Sequence, residues 1–518
     1  MKKSKKIRKE YVILVILLLC IPLAQAVTDE NIQTDKFPSS NIIDDEWNKH
    51  FGGNYYDGAM DIKQINDKNF IVAGYIHGFT QPLSDGWLLK IDGDGNEIWN
   101  KTYGGHNEDI MYSVIETEDG FVIGGYTLSY GNGEADYWLL KTDKMGNELW
   151  NGTFGGQEYD FGRKVLQTDD GGYIFLGDAS SFNNLHKPDV WVVKTDAYGH
   201  ELWNKTYGGK ETEFADDIIH TEGGYLISGI TSSYETHGGW DTWLIKIDAH
   251  GNELWNTTYG WRGFELAAYV IEIEGGYMVA GATESITGGF SDAYLIKIDN
   301  HGAEIWSKLY GMGDERFNSI KKSDDGYILA GSTCSLSPLS VGDFDVWLVK
   351  VDDEGNEVWN RTFGGRKRDY ANSLLEIEGT YFIAGETETV GNMGKYDVWI
   401  IKCADYAPPQ INMVKPTEQY LYVFDKALFP LGRTIILGDI TVTAEIFDPA
   451  GNINRIEFYL CHIDVEYEYE PRAVIFSPPY EWRWDEPARG LYQLTIGAYY
   501  GNAGGVAVDK ITVWVFNI

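Results

Sequence analysis

The chain has 518 residues and a formal net charge of −36, from 42 Lys and Arg against 78 Asp and Glu. Such an acidic excess repels phosphate and argues against nucleic acid as a partner. The chain is longer than one small hydrophobic core can organise. Together with 60 Gly, 18 Trp and 34 Tyr, this length favours a large repeat of aromatic strands joined by tight turns.

The first 26 residues predict export from the cytoplasm. A basic segment, residues 1–10, precedes an apolar run, and Ala24-Gln25-Ala26 has the small-x-small pattern of a cleavage site. The apolar run is shorter than the ~20 residues that span a bilayer. We therefore expect a cleaved signal peptide and an extracellular or cell-surface protein. The alternative is an uncleaved N-terminal anchor, which would be the only membrane attachment. Residues 27–40 are expected to be a linker.

One phrase recurs every 51 to 53 residues between residues 41 and 403. Two copies read DYWLLKTDKMGNELWNGTFGG and DTWLIKIDAHGNELWNTTYGW. Each period holds four strand candidates separated by Gly-rich or Asp-rich turns. Four strands in about 50 residues is typical of a propeller blade.

Both halves of the phrase occur seven times. The fourth-strand tryptophans are Trp47, Trp99, Trp150, Trp203, Trp255, Trp306 and Trp359, and the D-x-[WY] strands begin at Asp85, Asp136, Asp189, Asp241, Asp292, Asp345 and Asp397. The array starts with a lone fourth strand and ends after a third, so the first segment can complete the last blade. We therefore predict an all-β fold in which residues 41–403 form a seven-bladed β-propeller whose closure hides two edge strands.

The repeated residues have structural explanations. Residues Asp92 to Gly95 predict a tight hairpin in which the glycine supplies a positive φ. Trp99 and its equivalents are expected to fill the gap between neighbouring blades. Asp136 and Lys141, which recur in each blade, are interpreted as a polar tie between blades rather than a catalytic pair, since buried charges persist only when paired.

The repeat has relatives among known families. The D-x-x-G-x-x-x-W turn, seen at Asp248, Gly251 and Trp255, is similar to the tryptophan-docking motif of PQQ-type quinoprotein propellers, which has one more residue between Asp and Gly. Segments such as Gly171-Gly172-Tyr173 resemble kelch repeats. As a whole, the phrase resembles repeats of exported archaeal and bacterial proteins. This resemblance implies a propeller fold and an extracytoplasmic location, and it implies no defined activity.

Residues 404–518 follow a different pattern. Pro408-Pro409 is a plausible linker, and segments such as ITVTAEIFDPAG, INRIEFYL and LTIGAYYGNAGG alternate strand and turn residues. This spacing predicts a β-sandwich. The pattern resembles bacterial Ig-like domains of surface proteins, which implies a spacer or an adhesive unit.

The sequence predicts no catalytic residues, no cofactor and no metal site. The ten His residues lack ligand spacing. Asp92, Asp94 and Asn96 match the first positions of an EF-hand calcium-binding loop, but the distal Glu of that loop is missing. Three cysteines lie beyond the signal segment, at positions 334, 403 and 461, and their odd number and wide spacing predict no disulfide framework.

Five repeats carry an Asn-x-Thr sequon at one shared position. These asparagines are Asn100, Asn151, Asn204, Asn256 and Asn360. In an exported protein they could carry N-linked glycans, so a glycoprotein is one interpretation. The other is that Asn and Thr belong to the structural code of the strand.

The predicted recognition face lies where the loops differ between repeats. Loops from the fourth strand to the next first strand, and from the second to the third, should emerge on one face. They supply the candidate ligand-binding residues Arg163, Trp261, Arg262, Arg316, Arg366, Arg368 and Tyr370. Arginine and aromatic residues suit carboxylate, sugar or protein contacts. The alternative is that they are solvated loop residues paired with acids such as Glu265 and Asp369.

The sequence therefore favours a non-enzymatic secreted or cell-surface binding or adhesion protein. Its propeller face would recognise a surface protein or a glycan, and its Ig-like module would be a spacer. One alternative is a propeller enzyme, either a quinoprotein dehydrogenase or a polysaccharide-active enzyme, which would have converging carboxylates or metal ligands at the central channel. Another is a structural component of the cell envelope.

Overall fold

The computed structural model describes residues 46–53, 55–77, 83–182, 186–234, 239–261, 263–284, 291–311, 313–334, 344–365, 367–388, 395–431, 433–448, 451, 453–462, 471–501 and 504–517. The predicted signal segment and linker lie outside these ranges. The regular structure within them is β-strand, which confirms the all-β prediction. Among the described residues there is no helix with the length and apolar character needed to cross a membrane.

Twenty-eight strands lie in the repeat region. In chain order they are β1 (Trp47–Phe51), β2 (Asp57–Gln64), β3 (Phe70–His77), β4 (Ser84–Ile91), β5 (Glu97–Tyr103), β6 (Asp109–Thr117), β7 (Gly120–Thr127), β8 (Asp136–Asp143), β9 (Glu148–Phe154), β10 (Asp160–Gln167), β11 (Tyr173–Ala179), β12 (Asp189–Thr195), β13 (Glu201–Tyr207), β14 (Glu213–Thr221), β15 (Gly224–Thr231), β16 (Asp241–Asp248), β17 (Glu253–Tyr259), β18 (Glu265–Ile273), β19 (Gly276–Thr283), β20 (Asp292–Asp299), β21 (Glu304–Tyr310), β22 (Glu315–Ser323), β23 (Gly326–Thr333), β24 (Asp345–Val351), β25 (Glu357–Phe363), β26 (Asp369–Ile377), β27 (Thr380–Thr387) and β28 (Asp397–Ala404).

These strands form antiparallel groups of four. Strands β2–β5, β6–β9, β10–β13, β14–β17, β18–β21 and β22–β25 each follow chain order, and the remaining group is β26–β28 completed by β1. Trp47 of β1 pairs with Lys402 of β28, so the N-terminal strand joins the last group as the sequence predicted. We number the strands of each group first to fourth, with β1 as the fourth strand of the last group.

The groups contact one another through their first strands. Strand β2 contacts β6, the contacts continue through β10, β14, β18, β22 and β26, and β26 in turn contacts β2. An apolar core fills each junction; between the first two groups it includes Ala73 and Leu88 on one side and Phe121 and Trp138 on the other. Trp99 lies against Phe121, with ring centroids 6.2 Å apart, which confirms the predicted role of the fourth-strand tryptophan.

The third-to-fourth turns follow the predicted hairpin. Gly95 has a φ of +74°, which favours glycine over residues with a Cβ. The Asp92 carboxylate accepts the backbone N–H groups of Asp94 at 3.0 Å and Asn96 at 2.8 Å. These hydrogen bonds give the recurring aspartate a structural role in the turn.

Ten further strands follow the repeats. They are β29 (Gln410–Lys415), β30 (Tyr420–Val423), β31 (Lys426–Pro430), β32 (Thr434–Leu437), β33 (Ile440–Phe447), β34 (Ile453–His462), β35 (Ala473–Ile475), β36 (Glu481–Trp484), β37 (Ala488–Tyr500) and β38 (Gly505–Asn517). Strands β29, β33 and β36 form one sheet, and the other seven belong to a second. One apolar core joins the two sheets, with Val442 and Trp484 from the first and Phe458, Ile496 and Val513 from the second.

The C-terminal strands are attached to the repeat region at β25. Thr362 and Phe363 of β25 pair with Val506 and Gly505 of β38, so the group β22–β25 continues into the second C-terminal sheet. Cys334, Cys403 and Cys461 are free thiols, in agreement with the sequence prediction.

Candidate functional site

A β-bulge shapes each first strand. In six of them the register shifts between the third and fifth residues, and in β18 it shifts between Leu266 and Ala268. A bulge adds an unpaired residue and re-aims the side chains around it. Consequently the fourth and fifth residues of one strand can both face the same cavity, as Arg163 and Lys164 of β10 do.

The first strands converge on a cavity of about 360 Å³. Consecutive pairs of bulge residues line it from five strands: Met60 and Asp61, Arg163 and Lys164, Asp216 and Asp217, Asn318 and Ser319, and Asn372 and Ser373. Lys63, Tyr112, Tyr269, Arg316 and Lys321 also line it. Five of these side chains are basic and three are acidic, although the whole chain carries a net charge of −36.

Three of the basic residues form ion pairs. Lys63 Nζ lies 2.9 Å from Asp61, Lys164 Nζ lies 3.5 Å from Asp217, and Arg163 Nε lies 3.1 Å from Asp178. Burial opposes ionisation of Asp61, but Lys63 and Lys164 outweigh it and hold its pKa below the ordinary value. The Asp61 carboxylate is therefore anionic at neutral pH.

Asp216 behaves differently. It accepts the backbone N–H of Ala268 at 2.9 Å, and burial raises its pKa to about 7 even though the charge of Arg163 opposes the rise. Its carboxyl group can therefore donate or accept a proton near neutral pH.

We call Arg316, which lines the cavity, together with the neighbouring rings of Phe344 and Tyr370, the mouth of the cavity. The Arg316 guanidinium lies over two adjacent rings, 5.2 Å from the centre of Phe344 and 5.1 Å from that of Tyr370. Arg316 Nε donates to Ser332 Oγ at 3.0 Å. These contacts hold the guanidinium beside aromatic surface, an arrangement suited to planar or anionic ligands.

The structure brings together part of the predicted recognition set. Arg163 and Arg316 line the cavity, and Tyr370 contacts Arg316. Arg368 lies beside Tyr370 and Tyr396, where its charge opposes the rise that burial causes in the pKa of both phenols. Arg262 and Arg366 lie outside the described residues, as do large parts of the second-to-third loops. Ligand binding by this set stays a prediction.

Trp261 lies apart from the cavity lining. Its backbone N–H donates to Glu265 Oε1 at 3.3 Å, and its ring lies 5.8 Å from that of Tyr294, against the core between two groups. This contact with Glu265 agrees with the alternative interpretation of that residue. Sequence reasoning missed Lys63, Lys164, Lys321 and Asp216, because only the bulges turn these strand residues into the cavity.

The predicted tie between Asp136 and Lys141 is wrong. Lys141 Nζ donates to Asp119 at 2.5 Å and to Thr117, both in its own group. Lys194 likewise pairs with Asp170 at 3.0 Å. In these two copies the lysine fastens the first-to-second hairpin of its own sheet, whereas Lys350 also contacts Asp405 of the next group at 3.0 Å.

Asp136 faces another carboxylate. A Cβ added at Gly155 would overlap Asp136 Oδ1 and lie 2.9 Å from Asp160 Oδ2, which places the two acids side by side. Burial, together with the charge of Asp160, raises the pKa of Asp136 to about 6. Burial and the charge of Asp57 raise the pKa of Asp397 to about 6 at the equivalent junction.

Replacing Asp136 by asparagine is expected to raise the free energy of unfolding at pH 8 by about 1–2 kcal/mol. The folded-state pKa, about 6, exceeds the ordinary 3.8, so the ionised form is penalised in the fold. The destabilisation caused by Asp136 should therefore fade as the pH falls from 7 towards 4, so the difference in stability between the variant and the wild type should shrink. Urea denaturation from pH 5 to 8 measures both effects. Asp324→Asn, an exposed change of the same charge, is the control; a destabilised Asp136→Asn at pH 8 would contradict the interpretation.

The sequon asparagines have structural partners. Trp191 Nε1 donates to Asn204 Oδ1 at 3.2 Å, and Asn204 Nδ2 donates to Glu201 Oε1 at 2.6 Å. The same bond from Nδ2 to a glutamate, at 2.5 to 2.6 Å, recurs at Asn100, Asn151, Asn256 and Asn360. These bonds explain the asparagine as part of the strand code, and glycosylation stays a prediction.

No group of three or more His, Cys, Asp or Glu that could hold a metal ion occurs among the described residues.

No family model matches the chain. Over 274 residues it is 24% identical to Regulatory protein FlaEY of Caulobacter vibrioides, a match that spans 48% of this chain and 27% of that protein. The chain thus spans about a quarter of the length of that curated relative.

Two solved structures illustrate the structural similarities. The extracellular domain of a putative one component system from B. thetaiotaomicron is 12% identical, with 88% of this chain and 68% of that one covered and a TM-score of 0.28. Sqt1 of Chaetomium thermophilum is 13% identical, with 78% and 99% covered and a TM-score of 0.40. At TM-scores this low, neither similarity carries an argument about this chain.

Proposed function

We propose that residues 41–403 form a seven-bladed β-propeller and that the chain is a non-enzymatic binding protein of the cell exterior. The seven groups of four strands, their successive first-strand contacts and the completion of the last group by β1 support the propeller. The N-terminal export pattern supports the location. Glycosylation of the five sequons would fit the same location.

Residues 404–518 form, in this proposal, an Ig-like β-sandwich that serves as a spacer. Two sheets around one core support the sandwich. The pairing of β38 with β25 would fix the orientation of the spacer relative to the last groups of the repeat.

The ligand of the propeller is a glycan or a surface protein that binds at the mouth of the cavity. The observation that carries this proposal is the contact between Arg316, which lines the polar cavity, and Tyr370, both of them only half-buried. Aromatic faces stack on sugar rings or apolar side chains, and arginine recognises carboxylates and hydroxyl groups. Small-molecule cavities of this size lie within the usual range of about 300–1,000 Å³.

A polysaccharide-active enzyme is the second candidate. Three carboxylates face the cavity, and Asp216 has a pKa of about 7, which suits a general acid. Against catalysis, Asp61 and Asp217 are held in ion pairs with lysines. Release of reducing ends from a polysaccharide that binds, lost in Asp216→Asn, would favour the enzyme.

Tyr370→Ala is expected to weaken binding of a glycan found by array screening at least tenfold, because the mouth loses its stacking surface and the support of Arg316. Affinity measured by titration calorimetry checks this result. Tyr198→Ala is the matched control, since Tyr198 is 73% exposed in a third-to-fourth turn. Equal affinity of both variants for the glycan, or no glycan bound by the wild type, would count against a glycan site at the mouth.

A further inference from the structure

Three lysines meet at the cavity from non-adjacent strands. Lys63 and Lys321 are the seventh residues of β2 and β22, and Lys164 is the fifth residue of β10. They line the same cavity, and Lys63 and Lys164 both act on the ionisation of Lys321. Asp61 and Asp217 pair with Lys63 and Lys164, so the two acids and three lysines leave a positive excess.

Lys321 supplies that excess. No hydrogen bond or ion pair joins its ammonium group to any residue that the structure describes, whereas the other two lysines have carboxylate partners. Burial and the repulsion of Lys63 and Lys164 lower its pKa to about 8. A desolvated cation beside two others is costly unless an anion neutralises it.

The mouth adds an aromatic face and a guanidinium to this cluster of lysines. Arg316, on the same strand as Lys321, presents its guanidinium beside Tyr370. Asn318 lies between them in the strand and lines the cavity as well. A ligand that reached from the mouth to Lys321 would meet an aromatic face, then hydrogen-bonding groups, then a cluster of ammonium groups.

We propose that the cavity binds an acidic saccharide, with a sugar ring against Tyr370 and a carboxylate or sulfate group on Lys321, Lys63 and Lys164. This inference rests on the proposed glycan-binding function and names the class of its ligand. The anionic group would form an ion pair with Lys321. The cationic lining would then favour acidic saccharides over neutral sugars. An acidic surface elsewhere on the protein would then repel acidic polymers that fail to enter the cavity.

The test compares three probes by titration calorimetry at neutral pH: oligogalacturonates, heparin-derived sulfated oligosaccharides and neutral cello-oligosaccharides. We expect an acidic probe to bind at least tenfold more tightly than the neutral one, with the better acidic probe identifying carboxylate or sulfate as the preferred group. Lys321→Met should reduce affinity for that probe at least tenfold. Lys322→Met, which removes the same charge from the adjacent exposed residue, should change it less than twofold.

Thermal unfolding shows whether Lys321→Met folds, and the variant should melt no lower than the wild type because a repelled buried cation is removed. Equal affinity for acidic and neutral probes, or an equal loss in Lys321→Met and Lys322→Met, would overturn the inference while leaving glycan binding intact. If neither these probes nor an array glycan binds, the proposed glycan-binding function itself fails.

Discussion

Replacing Arg361 by methionine is expected to lower the free energy of unfolding by about 3–5 kcal/mol, the cost of breaking a buried ion pair. The Arg361 side chain is fully buried, and its NH2 group lies 3.4 Å from Glu46 Oε1. Its NH1 group donates to Ala404 O at 3.1 Å. The variant leaves the Glu46 carboxylate buried without its cation.

Arg361 joins three parts of the chain. Glu46 precedes β1, Ala404 ends β28, and the Arg361 guanidinium lies over the rings of Tyr406 and Tyr500, 4.5 and 5.3 Å from their centres. Its loss should therefore loosen both the closing strand and the C-terminal sheets. Urea denaturation followed by tryptophan fluorescence measures the change.

Lys308→Met is the matched control, because Lys308 holds the same position in β21. It is partly exposed there and donates to Asn356 at 2.7 Å, so its loss should cost less than about 1 kcal/mol. Adding Glu46→Gln to Arg361→Met should recover part of the stability by removing the uncompensated charge. Similar losses in Arg361→Met and Lys308→Met would contradict the account of this junction.

Gly331→Ala is expected to destabilise the protein by about 1–3 kcal/mol or more and to weaken ligand binding at the same time. Gly331 pairs with Phe317, directly before the bulge of β22. An added Cβ would overlap the carbonyl oxygen of Arg316. The strand must shift to relieve that overlap, and Arg316 would shift with it.

The same overlap would occur at Gly74, Gly125, Gly177, Gly229 and Gly385, each against the carbonyl oxygen of a second residue in a first strand. Gly152→Ala is the control, since its nearest contact would be an ordinary 3.7 Å to Phe154. We expect the control to unfold within about 0.5 kcal/mol of the wild type. Gly331→Ala with wild-type stability and unchanged affinity would show that the bulge tolerates a side chain.

The repeat carried enough information to predict the strands and their grouping. Its apolar third strands, glycine turns such as Gly95 and fourth-strand tryptophans such as Trp99 each have a local physical reason that a single copy already shows. The single strand at the start of the array, β1, was also predicted to pair with β28. Long-range pairing of β38 with β25 was not predictable, because strand edges leave no pattern that specifies a partner.

The candidate site was predicted only in part. Arg163, Arg316 and Tyr370 were found because arginine and aromatic residues are conspicuous near variable loops. Lys63 and Lys321 hold the same position in their repeats, but Lys164 lies two residues earlier in its strand, so alignment of the copies does not bring all three together. A bulge adds one residue to a strand. In the sequence, this extra residue cannot be told from the differences of one or two residues between the loops of the copies.

The burial of Arg361 was also not predictable from the repeat. It stands where other copies have Lys205 or Lys308, both of which donate to exposed asparagines. The repeat therefore indicates an exposed side chain at this position. Only packing of the C-terminal strands on β25 buries it, and that packing is a tertiary effect.

The central claim is that ligand enters the cavity where the first strands converge. A crystal structure of the protein soaked with the acidic oligosaccharide that binds best tests it most directly. The account predicts electron density for a sugar ring beside Tyr370 and for its anionic group within hydrogen-bonding distance of Lys321. Density for the saccharide only on the outer fourth strands or on the C-terminal sheets would contradict it.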